Sequence, residues 1–202
     1  MSRAYDPGCR RPGATAEALR RGNTGVSRPS HHSAMASPEQ RATAILAAHR
    51  YVVIGTADAD GPWTAAAQYR LLPRGMYVES DLESRHARAI AASGTASGVV
   101  FDSSASLSDA DGVQLVFRAR EVDAAPSTVR EVLDARLARD AVTGSALEDE
   151  VTGVIAVPRK RLYVLHVERA YVFDRDAWRS RGTDARLEVD VAAVWAGLAG
   201  EG

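Results

Sequence analysis

With a single cysteine, Cys9, in its 202 residues, the chain can form no internal disulfide, and a cysteine-based metal site is not expected. No apolar run approaches the roughly 18 residues that a membrane helix needs. Neither sign of charge is in excess: 25 Lys and Arg face 26 Asp and Glu, a formal net charge of -1. That balance lacks the electrostatic footprint of a nucleic-acid binder. Also missing are a P-loop, H-E-x-x-H, G-x-S-x-G and the dinucleotide-binding G-x-G-x-x-G. Lys160 is the only lysine. The histidines beyond the N-terminal segment, His49, His86 and His166, are too scattered to suggest a metal-ligand cluster. Expected, then, is a soluble cytoplasmic protein without metal, nucleic-acid or membrane partners.

What is present is globular in kind. The chain is 46% hydrophobic and 25% charged, which argues against global disorder. Residues 1–36 differ: six arginines against Asp6 and Glu17 give a local balance of +4, with Pro7, Pro12, Pro29 and four glycines. Such a segment cannot bury enough apolar area to offset its ordering entropy, so a disordered extension is expected, with the folded domain at 37–202. It lacks the apolar stretch of a signal peptide. Met35, just before the first helical signal, is the expected start of translation. The Ala- and Arg-rich composition hints at a bacterium of high GC content.

Ser37-Pro38-Glu39-Gln40 reads as a helix start: a capping serine, proline at the first position, and glutamine three residues on. That helix runs to about Arg50, with Ala44, Ile45, Leu46 and Ala48 as its expected buried stripe. Strands follow at about 51–57, 63–72 and 76–80, separated by the turns Asp58–Gly61 and Pro73–Gly75. A short helix opens at 81–84 and closes at Ser93-Gly94. Strands are expected at 96–101 and 112–122, the latter alternating Val113, Leu115, Phe117 and Ala119 against Gln114, Val116, Arg118 and Arg120. A helix at 126–139 buries Val129, Val132, Leu133 and Leu137. Residues 154–157 and 161–167 read as strands, 171–174 as a short edge, and 190–198 as a capped helix. The fold class is α+β, mainly β: an antiparallel split β-barrel with peripheral helices.

Ser84-Arg85-His86-Ala87-Arg88 opens a short helix with a hydroxyl and three potential cations. Backbone N–H groups at a helix N-terminus attract phosphate, and arginine can grip it with two parallel bonds. A solvated basic face is the plainer reading. Basic residues at that end oppose the helix dipole, which favours a bound anion.

The segment Gly75-Met76-Tyr77-Val78-Glu79-Ser80-Asp81-Leu82-Glu83-Ser84-Arg85-His86 resembles the pyridoxamine 5'-phosphate oxidase-like proteins, flavin-binding split β-barrels. The likeness extends over about 37–175 and takes in Asp60-Gly61-Pro62-Trp63, Ile90-Ala91, Gln114 and Tyr171-Val172-Phe173. It implies an oxidoreductase that uses flavin mononucleotide (FMN) and passes hydride between the ring and a small organic substrate. It implies a homodimer with the cofactor at the interface. Arg85 and His86 would bind the cofactor phosphate, with Ser80 and Ser84 as hydroxyl donors. Gln114 would bond the ring, and Trp63 to Tyr69, including Thr64, Gln68 and Tyr69, would line it. Thr64 and Tyr69 stand where the vitamin oxidase has an arginine and a lysine, and no second lysine exists to replace them. The vitamin-specific Arg-x-His near the end is also missing, so the resemblance implies another substrate. A 5-deazaflavin coenzyme, or haem in a non-catalytic binder, are the alternatives within the same superfamily. No catalytic residue is assigned; Tyr69 is a proton-donor candidate by position, with packing or ring stacking as its plainer role.

Overall fold

The computed structural model describes residues 36–73, 75–106, 109–122, 125–140 and 159–200. Their elements are α1 (Pro38–Ala48), β1 (Tyr51–Asp58), β2 (Gly61–Leu72), β3 (Gly75–Asp81), α2 (Arg85–Ser93), β4 (Thr95–Phe101), β5 (Gly112–Glu121), α3 (Pro126–Asp140), β6 (Lys160–Phe173), α4 (Arg175–Arg181), β7 (Arg186–Val189) and α5 (Val191–Ala199). All strand pairs are antiparallel, in the order β3-β2-β1-β4-β5-β6-β7. β3 also pairs with β6, so six strands close into a barrel and β7 is added outside it. The chain has an α+β fold built on a closed antiparallel barrel. The expected extension at 1–36, apart from Ala36, and the expected strand at 154–157 lie outside the described residues.

The α1 start has the expected capping box: Gln40 N–H donates to Ser37 Oγ at 3.2 Å, and Ser37 N–H donates to Gln40 Oε1 at 2.9 Å. Its buried face is Ala42, Ile45 and Leu46, whereas Ala44 and Ala48 are exposed. The expected stripe was turned too far because the alanines are apolar on either face. α1 packs against α5, where Thr43 Oγ1 donates to the Val194 carbonyl at 3.2 Å.

The barrel interior is filled by alternate strand residues, among them Ile54, Tyr69, Met76, Leu115, Phe117, Tyr163 and Leu165. Small residues make room for large ones. A Cβ on Gly98 would stand 2.6 Å from the Phe117 ring and 2.9 Å from Val52. Gly75, at φ +137°, lets the turn after β2 pass against the Leu165 carbonyl, which a Cβ would meet at 2.9 Å.

β6 is one strand of 14 residues, where the sequence suggests one strand and a separate edge. A register shift opposite Val116 and Phe117 inserts an extra residue, so Glu168 and Arg169 both face out. The first half of β6 closes the barrel on β3 and the second half carries β7. α3 lies outside the barrel, with Val129, Val132 and Leu133 packed on Tyr77, Leu162 and Val164. The side chain of Leu137, expected in that contact, is outside the described set. Among the described residues, no helix is long and apolar enough to cross a membrane.

Candidate functional site

Three places on the barrel carry the chemistry that the sequence singles out. The first is the junction of β3 and α2. Ser84 caps α2 by accepting from the Ala87 N–H at 3.3 Å, and Gly94 ends the helix in the left-handed conformation. The Ser84 cap and the pleat of β3 bring three predicted residues together. Ser80 Oγ lies 2.6 Å from His86 Nε2 and 3.0 Å from Ser84 Oγ, and Ser84 Oγ lies 3.3 Å from His86 Nε2. Burial holds the His86 pKa below its ordinary 6.5, so the ring is neutral at neutral pH. His86 therefore offers a hydrogen bond rather than a positive charge.

Arg85 is bonded to the β1–β2 hairpin instead of to that cluster. Its Nε and Nη2 donate to the two carboxylate oxygens of Asp58 at 2.7 Å each, and Nη2 also donates to the Gly61 carbonyl at 3.1 Å. The guanidinium lies over the Trp63 ring, 4.9 Å from its centroid. These contacts tie α2 to the β1–β2 hairpin, and the hydrogen bond from Arg85 holds the Asp58 carboxyl below its ordinary range. Nη1 takes no part in them. A phosphate here would meet two hydroxyls, the helix N-terminus, a neutral imidazole and one arginine already shared with a carboxylate. These groups fit a phosphate through neutral donors and little net charge.

The second place is the outer face of β2 and β3. Because side chains alternate, Tyr69 turns into the barrel while Gln68 and Arg70 turn out. Tyr69 is fully enclosed, and its hydroxyl donates to the Leu46 carbonyl at 2.7 Å. This corrects its assignment to the cofactor: the side chain belongs to the core and has no surface for a ligand. Arg70, to which the sequence analysis assigns no role, is a buried cation of this face, 8% exposed, donating to the Tyr69 carbonyl and to Gln68 Oε1, the latter at 3.2 Å. Gln68, Arg70, Tyr77, Glu79, Leu133 and Lys160 line a cavity of about 270 Å³ beside α3. The signal available in the sequence was a charged residue inside the otherwise apolar run before the 73–75 turn.

The third place is the outer face of β4, β5 and β7. Gln114 is exposed there, and its Oε1 accepts from Arg186 Nε at 3.2 Å. It borders a shallow groove of about 260 Å³ with Val99, Phe101, Phe173 and Arg186. Thr64 lies on the same outer face, exposed, opposite Gly55 of β1. Between Thr64 and Gln114 the face is apolar: Val53 of β1 pairs with Ala66 and with Val99, and Val99 pairs with Gln114. Tyr51, Phe101 and Val116 on this face are 59%, 46% and 38% exposed. Thus Ser80, Ser84 and His86 converge, while Arg85, Gln68, Thr64 and Gln114 are spread over the outside of the barrel. Among the described residues, no group of His, Cys, Asp and Glu has the arrangement of a metal site.

No family model and no curated protein matches the chain in sequence. Solved structures match it in fold. A haem-binding protein of Mycobacterium smegmatis is 21% identical over 80% of this chain and 61% of its own length, with a TM-score of 0.57. The haem storage protein HutZ of Vibrio cholerae is 17% identical over 68% of this chain and 94% of its own, with a TM-score of 0.55. An inferred pyridoxamine 5'-phosphate oxidase of Listeria innocua is 13% identical over 67% of this chain and 98% of its own, with a TM-score of 0.50. The closed six-stranded barrel, its β3–β6 seam and these likenesses establish that the chain has the split β-barrel fold of the pyridoxamine 5'-phosphate oxidase-like proteins.

Proposed function

We propose that the chain is a homodimeric oxidoreductase that binds flavin mononucleotide, or a 5-deazaflavin coenzyme in its place, and acts on a small organic molecule. The observation that carries this reading is the exposed apolar outer face of β2, β1, β4 and β5, bounded by Gln68 and Thr64 at one side and Gln114 at the other. A single copy leaves Tyr51, Phe101 and Val116 in water, and a second copy seated on this face would cover them. β1 and β4 separate β2 from β5, so Thr64 and Gln114 of one copy stand three strands apart, about 14 Å across the sheet at the usual strand spacing, and two residues apart in register. Gln114 would therefore reach a ring held against β2 of the partner. Ser80, Ser84, the first turn of α2 and Arg85 would hold the phosphate, with His86 as a neutral partner. When bound, a flavin supplies the hydride chemistry; the protein orients the ring and excludes water.

The test is the absorbance spectrum of the purified protein, with mass spectrometry of the small molecule released by heat, beside its mass in solution. Val116→Arg, on the exposed face, should yield a folded monomer that has lost the cofactor. A dimer that stays colourless and takes up neither FMN nor deazaflavin would overturn the reading.

Haem is the second reading. The M. smegmatis and V. cholerae proteins of like fold are named for it. Here His166 lies half-buried on the outer face of β6, opposite Arg118, which is paired with Glu168 at 2.8 Å; His166 would hold the iron of a haem bound on this face and Arg118 would offer a cation to its carboxylates. A Soret band that His166→Ala abolishes would favour haem over flavin.

A further inference from the structure

We infer that the groove bordered by Gln114 takes one flat, uncharged ring system with a carbonyl group at its edge, and that this is the substrate class of the chain. The substrate role rests on the oxidoreductase reading above; the shape of the groove and its donors do not. Four neighbouring strands build it. Phe101 of β4 pairs with Gly112 of β5, Phe173 of β6 follows Val172, the partner of Val113, and Phe173 pairs with Arg186 of β7. Gly112 shares the outward face of β5 with Gln114 and Val116. A Cβ on Gly112 would stand 3.1 Å from the Phe101 Cβ and 3.1 Å from the Val100 carbonyl, so glycine keeps the floor of the groove flat. At the usual strand spacing Phe101 and Phe173 flank that floor about 9–10 Å apart. A ring laid over Gly112 lies midway, within the roughly 4.5–7 Å at which aromatic pairs stack.

The edge group is set by Arg186 and Gln114. Arg186 reaches from β7 over the Phe173 ring, 5.1 Å from its centroid, and its Nε donates to Gln114 Oε1 at 3.2 Å. That bond leaves the Gln114 amide N–H groups as donors to a ligand. Arg186 Nη1 donates to the Asp184 carboxylate and to the Ala185 carbonyl, the latter at 3.0 Å, and Nη2 takes no part in these bonds. Among the described lining residues the charged groups are Asp111 and Arg186. Both are met within the chain, Asp111 by Arg41 and Arg175 and Arg186 by Asp184. A ligand carboxylate would compete with Asp184 for Arg186, whereas a carbonyl oxygen needs only the N–H donors. At about 260 Å³ the groove falls just below the roughly 300–1,000 Å³ of drug-sized pockets, so it suits one or two fused rings.

Calorimetric titration of the full chain as purified tests this, with 1-indanone as the probe, indane as the same rings without the oxygen, and indane-1-carboxylate as the charged analogue. Indanone should bind at least about tenfold more tightly than indane, since one donor is charged. The carboxylate should bind no more tightly than the ketone. Arg186→Leu should bring indanone down to the affinity of indane and leave indane itself unchanged. Phe101→Ala should weaken both alike. Both side chains lie on the outer face of the sheet, so these variants should keep the barrel. Equal binding of indanone and indane, tighter binding of the carboxylate, or a preference that survives Arg186→Leu would each overturn the assignment. So would displacement of indanone by FMN, which would give the groove to the cofactor ring. A colourless monomer that still prefers indanone would overturn the oxidoreductase reading, and with it the substrate role, but not the groove. A flavin-bearing dimer without that preference would overturn this inference alone.

Discussion

The Ser80 hydroxyl lies 2.6 Å from Nε2 of His86, six residues on, across the junction of β3 and α2. Desolvation keeps the imidazole neutral, with its pKa below 6.5. Between that folded value and 6.5 the unfolded chain binds more protons than the folded one. The stability that His86 contributes is therefore complete above 6.5 and is lost as pH falls through that window. Denaturant midpoints measured from about pH 7.5 down to about pH 5.5 should fall, and His86→Gln should flatten that dependence. A wild-type midpoint that rises on acidification would show the ring to be charged in the folded state.

Asp58 competes with any phosphate for Arg85, because the carboxylate holds both Nε and Nη2. The two partners should then act in opposite directions on the cofactor. Asp58→Asn should raise affinity for FMN by releasing the guanidinium, and Arg85→Ala should lower it. In Arg85→Ala the Asp58 carboxyl should titrate nearer its ordinary value, which carbon-detected NMR reads directly. Equal flavin affinity in both variants would place the phosphate elsewhere.

Asp111, with its side chain 4% exposed, accepts from Arg41 of α1 at 2.9–3.0 Å and from Arg175 of α4 at 3.1 Å. Its Oδ1 also accepts from the Gly112 N–H at 2.9 Å. Asp111→Ala would leave two guanidinium groups around an emptied site, and breaking a buried pair costs about 3–5 kcal/mol. Thermal unfolding should show that loss. A midpoint within a degree or two of wild type would mean that water replaces the carboxylate.

Features written in neighbouring residues were legible in the sequence. The Ser37–Gln40 box, the Ser84 cap, the Gly94 stop and the alternation along β5 each need only a few adjacent side chains, and each matches the structure. Features that depend on distant partners were not. α4 and β7 lie in a polar, arginine-rich stretch without apolar periodicity; Arg175 finds its partner at Asp111, and β7 forms by pairing with β6. Glu168 and Arg169 interrupt the alternation of β6, so one strand looks like two. The same division holds at the candidate site. Ser80, Ser84 and His86 come from one short motif and lie within hydrogen-bond distance of one another, whereas the partner of Arg85 lies 27 residues away. Tyr69, expected at the cofactor, turns into the core, and Arg70, for which no role was expected, turns out, because the pleat of β2 decides which of them faces outward.

The β3–β6 seam sets an order of events in folding. β1, β2 and β3 meet through short turns, and β4 meets β5 across the 102–111 connection. Met76, by contrast, must find Leu165, and Asp81 must find Lys160, across most of the domain. Loop-closure entropy delays such distant pairings until the local ones exist. The seam therefore joins last, and an open, unclosed sheet with two unpaired edges precedes the native barrel. Those edges, β3 and β6, are where one copy of the chain could capture another before closure, so slow folding at high concentration would divert material into strand-paired aggregates.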